Sequence, residues 1–206
     1  MNLLTQNTKM KKTSKENNAK IFNFSIPAYK TESGKVTCPF AKECIKYCYA
    51  QKGNYTRFPI VKQLMEKKYE TTKKDNFILL MNEEIEKKKA THIRIHDSGD
   101  FYSVKYLQKW IDIATQNPDI IFYAYTKSIP FFKGAKGGKP TIRRPKNLKI
   151  ILSEGSKRDI LINNAKDRHA RIFKDVTKLL AAGYIDASNN DLKAITSNKK
   201  VGLVYH

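Results

Sequence analysis

The residues best suited to chemistry are Cys38, Cys44 and Cys48, which are all the cysteines of the chain and lie within eleven residues. An odd number of thiols leaves at least one without a disulfide partner, and the chain opens without an apolar signal segment. We therefore expect reduced thiols in a cytoplasmic protein, since disulfides persist mainly in oxidising compartments. Thiols clustered this closely predict a shared metal site.

The number of thiols bears on which metal they bind. Structural zinc takes four protein ligands, so a zinc site would need a fourth ligand from a histidine or a carboxylate. An iron–sulfur cluster held by three cysteines leaves one iron open to a substrate or cofactor, so we expect a [4Fe-4S] cluster and keep zinc as the alternative. A third interpretation is that the thiols are buried as small apolar side chains. The histidines available for zinc are His92, His96, His169 and His206.

Polar residues also follow three predicted strands. The segment 92–96 alternates polar and apolar residues and runs directly into an Asp-Ser-Gly-Asp turn. The predicted catalytic residues are His96 and Asp97. Thr126 and Glu154 are predicted cofactor-binding residues from their strand-end positions, and Ser98, Gly99 and Asp100 form the turn that follows Asp97. The structural alternative is that these are ordinary turn, helix-cap and hydrogen-bonded strand-end residues.

Strands alternate with helices along the chain. Strand patterns lie at 21–26, 92–96, 120–125 and 148–152, with a further one at 201–205, and amphipathic helical patterns separate the first three of them. This alternation predicts an α/β fold, either a partial (β/α) barrel or an open, mainly parallel sheet with flanking helices. Ligands of such sheets bind outside the carboxyl ends of the strands, so we expect the polar strand ends and the cysteines to meet there.

The chain length suits a single domain. A chain of 206 residues can bury a substantial core, and no apolar run approaches the roughly 18 residues needed to cross a membrane. Residues 1–19 are polar and basic without an apolar period, so we expect a flexible N-terminal arm followed by one domain over 20–206. We expect His169 at the surface of a helical stretch.

The charge is strongly positive. Forty Lys and Arg residues against 19 Asp and Glu residues give a net charge of +21, which favours binding to a polyanion. The stretch from Lys127 to Lys149 holds eight Lys and Arg residues and no acid, and we predict a basic loop that contacts nucleic acid there. Phe131 or Phe132 would stack on a base. The alternative is a solvated insertion in a protein whose charge is diffuse.

Three stretches of the chain resemble the phage gene product 88 family. They are CPFA at 38–41, continuing through Cys44 to CYA at 48–50, then IRIHDSGDF at 93–101, and FYAYT at 122–126. The resemblance covers roughly residues 20 to 205 and implies a phage origin, and therefore the cytoplasm of the host cell. The resemblance bears on ancestry and not on a particular chemistry.

The layout more distantly resembles the radical S-adenosylmethionine enzymes. Those enzymes carry three cysteines after the first strand of a partial (β/α) barrel, commonly with an aromatic residue before the last one, as Tyr47 stands before Cys48 here. The resemblance implies that the open iron binds S-adenosylmethionine and that Ser98, Gly99 and Asp100 receive its amino group. The spacing C-x5-C-x3-C is longer than their usual C-x3-C-x2-C, so the loop conformation must differ.

The motifs and the resemblances predict a phage-type iron–sulfur protein with a [4Fe-4S] cluster on the three cysteines and one open iron. They leave open whether the protein is a radical-SAM-like enzyme. The alternative is a non-catalytic, zinc-stabilised protein that binds nucleic acid or a host partner.

Overall fold

Seven parallel strands form a curled half-barrel in this computed structural model, which describes residues 1–136, 142–196 and 200–205. The strands are β1 Ile21–Phe24, β2 His92–Ile95, β3 Ile121–Thr126, β4 Leu148–Ser153, β5 His169–Phe173, β6 Ile185–Asp186 and β7 Lys200–Val204. Their order is β1-β2-β3-β4-β5-β7-β6, so each of the first four strands lies beside the next one in sequence. The predicted α/β partial barrel is therefore confirmed.

The helices lie between the strands and before the first of them. Within the described residues the α-helices are α1 Thr8–Glu16, α2 Asn54–Arg57, α3 Pro59–Lys73, α4 Phe77–Lys88, α5 Val104–Gln116, α6 Pro130–Lys133, α7 Val176–Ala181 and α8 Lys193–Thr196. None of these helices is long and apolar enough to cross a membrane.

The larger core lies between the sheet and the helices α3, α4 and α5. Apolar residues that alternate along β1 to β4 face these helices, because successive side chains of a strand point to opposite sides of the sheet. The rings of Phe24, Phe77 and Trp110 meet there in edge-on contacts, with centroids 5.3 to 5.8 Å apart. The helices α3, α4 and α5 therefore cover the outer face of the half-barrel.

The N-terminal segment covers the opposite, inner face of the sheet. Residues 1–19 were expected to be a flexible arm, but they include helix α1, whose Met10 is fully buried in a cluster with Tyr123 and other inner-face residues. The side chain of Asn7 caps the helix by accepting a hydrogen bond from the Met10 N–H at 2.9 Å. The helix has no visible apolar period because it buries only Met10 and Thr13.

Strand β5 lies where the sequence suggested a helical stretch. His169 begins this strand and is fully buried rather than at the surface, with Nε2 hydrogen-bonded to the Tyr184 hydroxyl at 2.8 Å. The mixture of charged and apolar residues in β5 hides the strand pattern. Pairing with β4 on one side and β7 on the other overrides the weak local preference.

Candidate functional site

A long connection between β1 and α3 crosses the carboxyl end of the sheet. We call residues 38–58 of it the cysteine segment. Ala41 forms a β-bridge with Ser156, and the Lys42 N–H donates to the Gly155 carbonyl at 3.0 Å. The three cysteines therefore lie over the strand ends, where the sequence places them.

Cys38 accepts a local hydrogen bond. Its sulfur accepts a hydrogen bond from the Tyr29 N–H at 3.3 Å, although the residue as a whole is only half-buried. Burial of the sulfur, followed by the charge of Asp100, raises the pKa of Cys38 to about 12. The thiol is consequently neutral at physiological pH.

Cys48 lies close enough to Cys38 and to Cys44 to interact with both. Burial raises the pKa of Cys44, and the Lys127 ammonium acts against that increase. The charge of Cys48 contributes to the raised pKa of both other thiols. The expectation that the three cysteines share one neighbourhood therefore agrees with the structure.

Their arrangement does not form a metal centre. In the part of the chain that the structure describes, no group of three or more His, Cys, Asp or Glu side chains is placed to hold a metal ion. The prediction of an iron–sulfur protein is therefore wrong, and so is a zinc site as its alternative. Metal ligands have to converge on one point, and the described side chains do not. Binding of S-adenosylmethionine stays a prediction.

Asp100 and Thr126 do meet. One carboxylate oxygen of Asp100 accepts hydrogen bonds from the Thr126 hydroxyl at 2.6 Å and the Phe101 N–H at 2.7 Å, and the other accepts from the Lys127 N–H at 2.8 Å. Burial raises the pKa of Asp100, and these hydrogen bonds only partly offset it. Asp100 thus ties the turn after β2 to the end of β3.

Ser98 and Gly99 form the tight turn before Asp100. The Ser98 hydroxyl is buried and has no hydrogen-bond partner among the described residues, while its carbonyl accepts from the Ile26 N–H at 3.1 Å. Gly99 has a φ of 81°, and a Cβ there would lie 2.3 Å from Cγ1 of Ile26. The turn therefore requires glycine for both its conformation and its close packing.

The side chains of the two predicted catalytic residues contact different parts of the protein. His96 packs toward α5, where Nε2 lies 2.9 Å from the Tyr106 hydroxyl, and burial lowers its pKa to about 3. Asp97 instead accepts hydrogen bonds from the hydroxyls of Tyr49 and Tyr55. The structure therefore does not bring His96 and Asp97 together as a proton-transfer pair.

Glu154 has a separate partner. Its carboxylate accepts a hydrogen bond from Arg171 Nε at 2.7 Å, and the two residues form a half-exposed ion pair between the end of β4 and strand β5. The sequence predicts that Glu154 follows a strand, but it does not predict the ion pair with Arg171.

A buried charge network on the inner face was missed by the sequence analysis. Asp191 accepts from Lys9 at 2.6 Å, from Arg94 at 3.0 Å and from the Tyr123 hydroxyl at 3.0 Å, and Arg94 also lies 3.3 Å from Asp97. Burial alone would raise the pKa of Asp191, but Arg94 and Lys9 outweigh it and hold the pKa below its ordinary value. The only local signal was an arginine inside an alternating strand.

We define the basic loop as residues 127–149. Its two phenylalanine rings pack against other parts of the protein. The ring of Phe131 packs edge-on against Phe40 of the cysteine segment at 5.5 Å, and Phe132 packs against Phe101 at 5.8 Å. Both are partly buried against the main core. The expectation that either ring stacks on a base therefore does not agree with the structure, because core packing holds both of them.

The cations of the basic loop fall into two groups. Lys133 forms an ion pair with Asp167 at 2.9 Å, and Arg144 donates to the Leu148 carbonyl at 2.6 Å. Lys139 lies outside the described residues. Lys136, Arg143 and Lys146 are exposed and form neither an ion pair nor a side-chain hydrogen bond within the described ranges.

Comparison with known proteins establishes the family. The sequence model described as Gene product 88 matches residues 1–205. The chain belongs to this family. The Gene 88 protein of Mycobacterium phage L5 is 32% identical over 102 residues, which are 44% of this chain and 43% of that protein.

The match to the phage L5 protein therefore spans less than half of that curated relative's length. No solved structure matches this fold. Membership of the gene product 88 family and a phage origin are thus confirmed, and the distant resemblance to radical S-adenosylmethionine enzymes stays a prediction.

Proposed function

We propose that this member of the gene product 88 family binds nucleic acid, with phosphates held by the basic loop. The observation that carries the proposal is the set of exposed, uncompensated cations Lys136, Arg143 and Lys146 in a stretch of 23 residues without an acid. Each cation that neutralises a phosphate releases condensed counterions, which is the main source of affinity for a polyanion.

The surrounding charge supports the same partner. The net charge of +21 gives the whole molecule a positive field that attracts polyanions from solution. Two acids that contact the loop do not cancel its exposed cations, since Asp167 is engaged by Lys133 and Asp100 is buried. The loop thus adds local contacts to a favourable long-range field.

The test compares two triple variants with the same change in charge. One replaces Lys136, Arg143 and Lys146 with Gln, and the control replaces Lys67, Lys87 and Lys89, which are exposed on α3 and at the end of α4. Fluorescence anisotropy with labelled DNA and RNA 30-mers gives the slope of log affinity against log salt.

We expect the loop variant to reduce that slope by about 2 to 3, since each phosphate contact contributes about 0.7 to 0.9. The control should change it by less than about 1. Equal reductions from both variants would mean diffuse charge and no dedicated site. Failure of the wild-type protein to bind any nucleic acid at low salt would remove the proposal altogether.

A further inference from the structure

A second acid-free surface lies beside the basic loop. Residues 44–65 contain no Asp or Glu, and two of their aromatic side chains are unusually open, with Tyr49 at 53% and Phe58 at 47% exposure. Large aromatic side chains normally bury most of their surface. Two open rings in one basic stretch therefore need an explanation other than core packing.

The ring of Tyr49 is held in place from its hydroxyl end. That hydroxyl donates to the main-chain carbonyl of Asp97, and the neighbouring Tyr55 donates to the carboxylate of Asp97 at 2.7 Å. The two rings contact each other edge-on, with centroids 5.8 Å apart. Tyr49 thus presents an exposed ring whose orientation is fixed before any partner binds.

Phe58 lies between Arg57 and the first residue of α3. It immediately precedes α3, and the guanidinium of Arg57 sits 5.8 Å from its ring centroid. Lys52 and Arg57 are exposed, and neither has a carboxylate partner within the part of the chain that the structure describes. The rings are therefore accompanied by cations that remain available to phosphates.

This surface adjoins the basic loop. Phe40, in the same cysteine segment, packs against Phe131 at the start of that loop. The Lys127 ammonium at the start of the loop also interacts with Cys44. The cysteine segment and the basic loop are therefore in contact at their first residues.

We propose that Tyr49 and Phe58 form a stacking platform for unpaired bases, with Lys52 and Arg57 holding the adjoining phosphates. Exposed rings alternating with cations are the chemistry that binds single-stranded nucleic acid, because bases offer their faces only when they are unpaired. This inference rests on the proposed function and specifies its ligand as single-stranded DNA or RNA. It assigns base contacts to the cysteine segment rather than to Phe131 and Phe132.

The test removes one ring and keeps the apolar character of the position. Phe58→Leu is the main variant, and Phe58→Tyr is the matched control that preserves the ring. A third variant, K52Q/R57Q, removes the two cations and leaves the rings intact. Anisotropy is measured with oligo(dT), with oligo(rU) and with a duplex of equal length, and circular dichroism checks that each variant is folded.

We expect Phe58→Leu to weaken binding to the single strands by about five- to 150-fold, since stacking on one aromatic ring is worth about 1 to 3 kcal/mol per base. Phe58→Tyr should bind like the wild-type protein, and duplex affinity should hardly change. K52Q/R57Q should flatten the salt dependence. A selective loss on oligo(dT) would identify DNA as the ligand, and a selective loss on oligo(rU) would identify RNA.

Other outcomes separate this inference from the proposed function. Wild-type binding that depends on the basic loop but is unchanged by Phe58→Leu would overturn the platform and leave the proposed function standing. An equal loss on duplex and single strands would also overturn it. So would a wild-type dimer in sedimentation that Phe58→Leu dissociates, because the exposed rings would then be covered by a second copy of the chain.

Discussion

The predicted catalytic residue His96 is a buried side chain that packs against α5. Its backbone φ is 66°, a left-handed conformation that only a few residue types adopt readily. Its ring lies 4.7 Å from that of Phe101 and bonds the Tyr106 hydroxyl, so it belongs to the core beside α5. A charged imidazolium is strongly disfavoured there.

The low pKa of His96 predicts a pH-dependent stability. Its contribution is fully present above the ordinary histidine pKa of about 6.5 and is lost as the pH falls toward about 3, because the unfolded chain takes up the proton first. The slope approaches about 1.4 kcal/mol per pH unit in this window. Urea unfolding between pH 8 and pH 4 should show a steeper loss for the wild-type protein than for His96→Asn. Parallel curves would contradict the assignment of a buried, neutral His96.

Two glycines offer a matched test of close packing. Gly99 and Gly34 both have φ near 80°, but a Cβ at Gly34 meets nothing within 4 Å, whereas one at Gly99 meets Ile26 at 2.3 Å. We expect Gly34→Ala to lose about 1 kcal/mol from backbone conformation alone. Gly99→Ala should lose about 1 to 3 kcal/mol more through overpacking. Equal losses in chemical denaturation would mean that the turn after β2 can relax away from Ile26.

Helix α1 packs on the inner face of the sheet and contacts both its core and its charge network. It brings Met10 into the smaller core and Lys9 into the network around Asp191, and Asn7 donates to Asp97 at 2.9 Å. A helix of nine residues is too short to be stable alone, so these tertiary contacts must hold it. The N-terminal residues are therefore part of the folded unit.

Replacing Met10 should reveal that contribution. Met10→Ala is expected to destabilise the protein by about 2 to 5 kcal/mol, since it leaves a cavity at a fully buried site. The control Lys11→Ala, at an exposed position of the same helix, should change stability by less than about 0.5 kcal/mol. Urea unfolding measures both. A neutral Met10→Ala would show that α1 is undocked in solution, as the sequence pattern alone suggested.

At the scale of the whole molecule, the net charge of +21 should act on two properties in opposite directions. Added salt screens the repulsion among surface cations, so raising NaCl from about 0.05 M to about 0.5 M should raise the melting temperature. The same change should weaken nucleic-acid binding.

The variant with Gln at positions 67, 87 and 89 provides the comparison for this salt effect. It lowers the net charge by three, so it should melt higher than the wild-type protein at low salt and lose that advantage at high salt. Differential scanning calorimetry checks the first property and anisotropy checks the second. A melting temperature that falls with salt would mean that favourable ion pairs outweigh the repulsion.

Local patterns were enough to predict the alternating strands and helices. Strands β2, β3 and β4 were visible because alternating or continuous apolar residues are bounded by turn residues, and the α/β class follows from their spacing. The meeting of Asp100 with Thr126 was also foreseeable, since the ends of adjacent parallel strands share one edge. The failures occurred where local residues carry no period, as in α1 and β5.

The sequence by itself thus determined the family, the α/β class with its parallel sheet, the grouping of cysteines over the carboxyl end of that sheet and the excess of positive charge. Tertiary structure decided what those residues do. It buried His96 away from Asp97, packed Phe131 and Phe132 into the core, and left the three thiols without a metal-binding arrangement. The charge network joins Arg94 to Asp191 across 97 positions of the chain. Side-chain surroundings depend on contacts between segments far apart in the chain, and no local pattern of residue types records them.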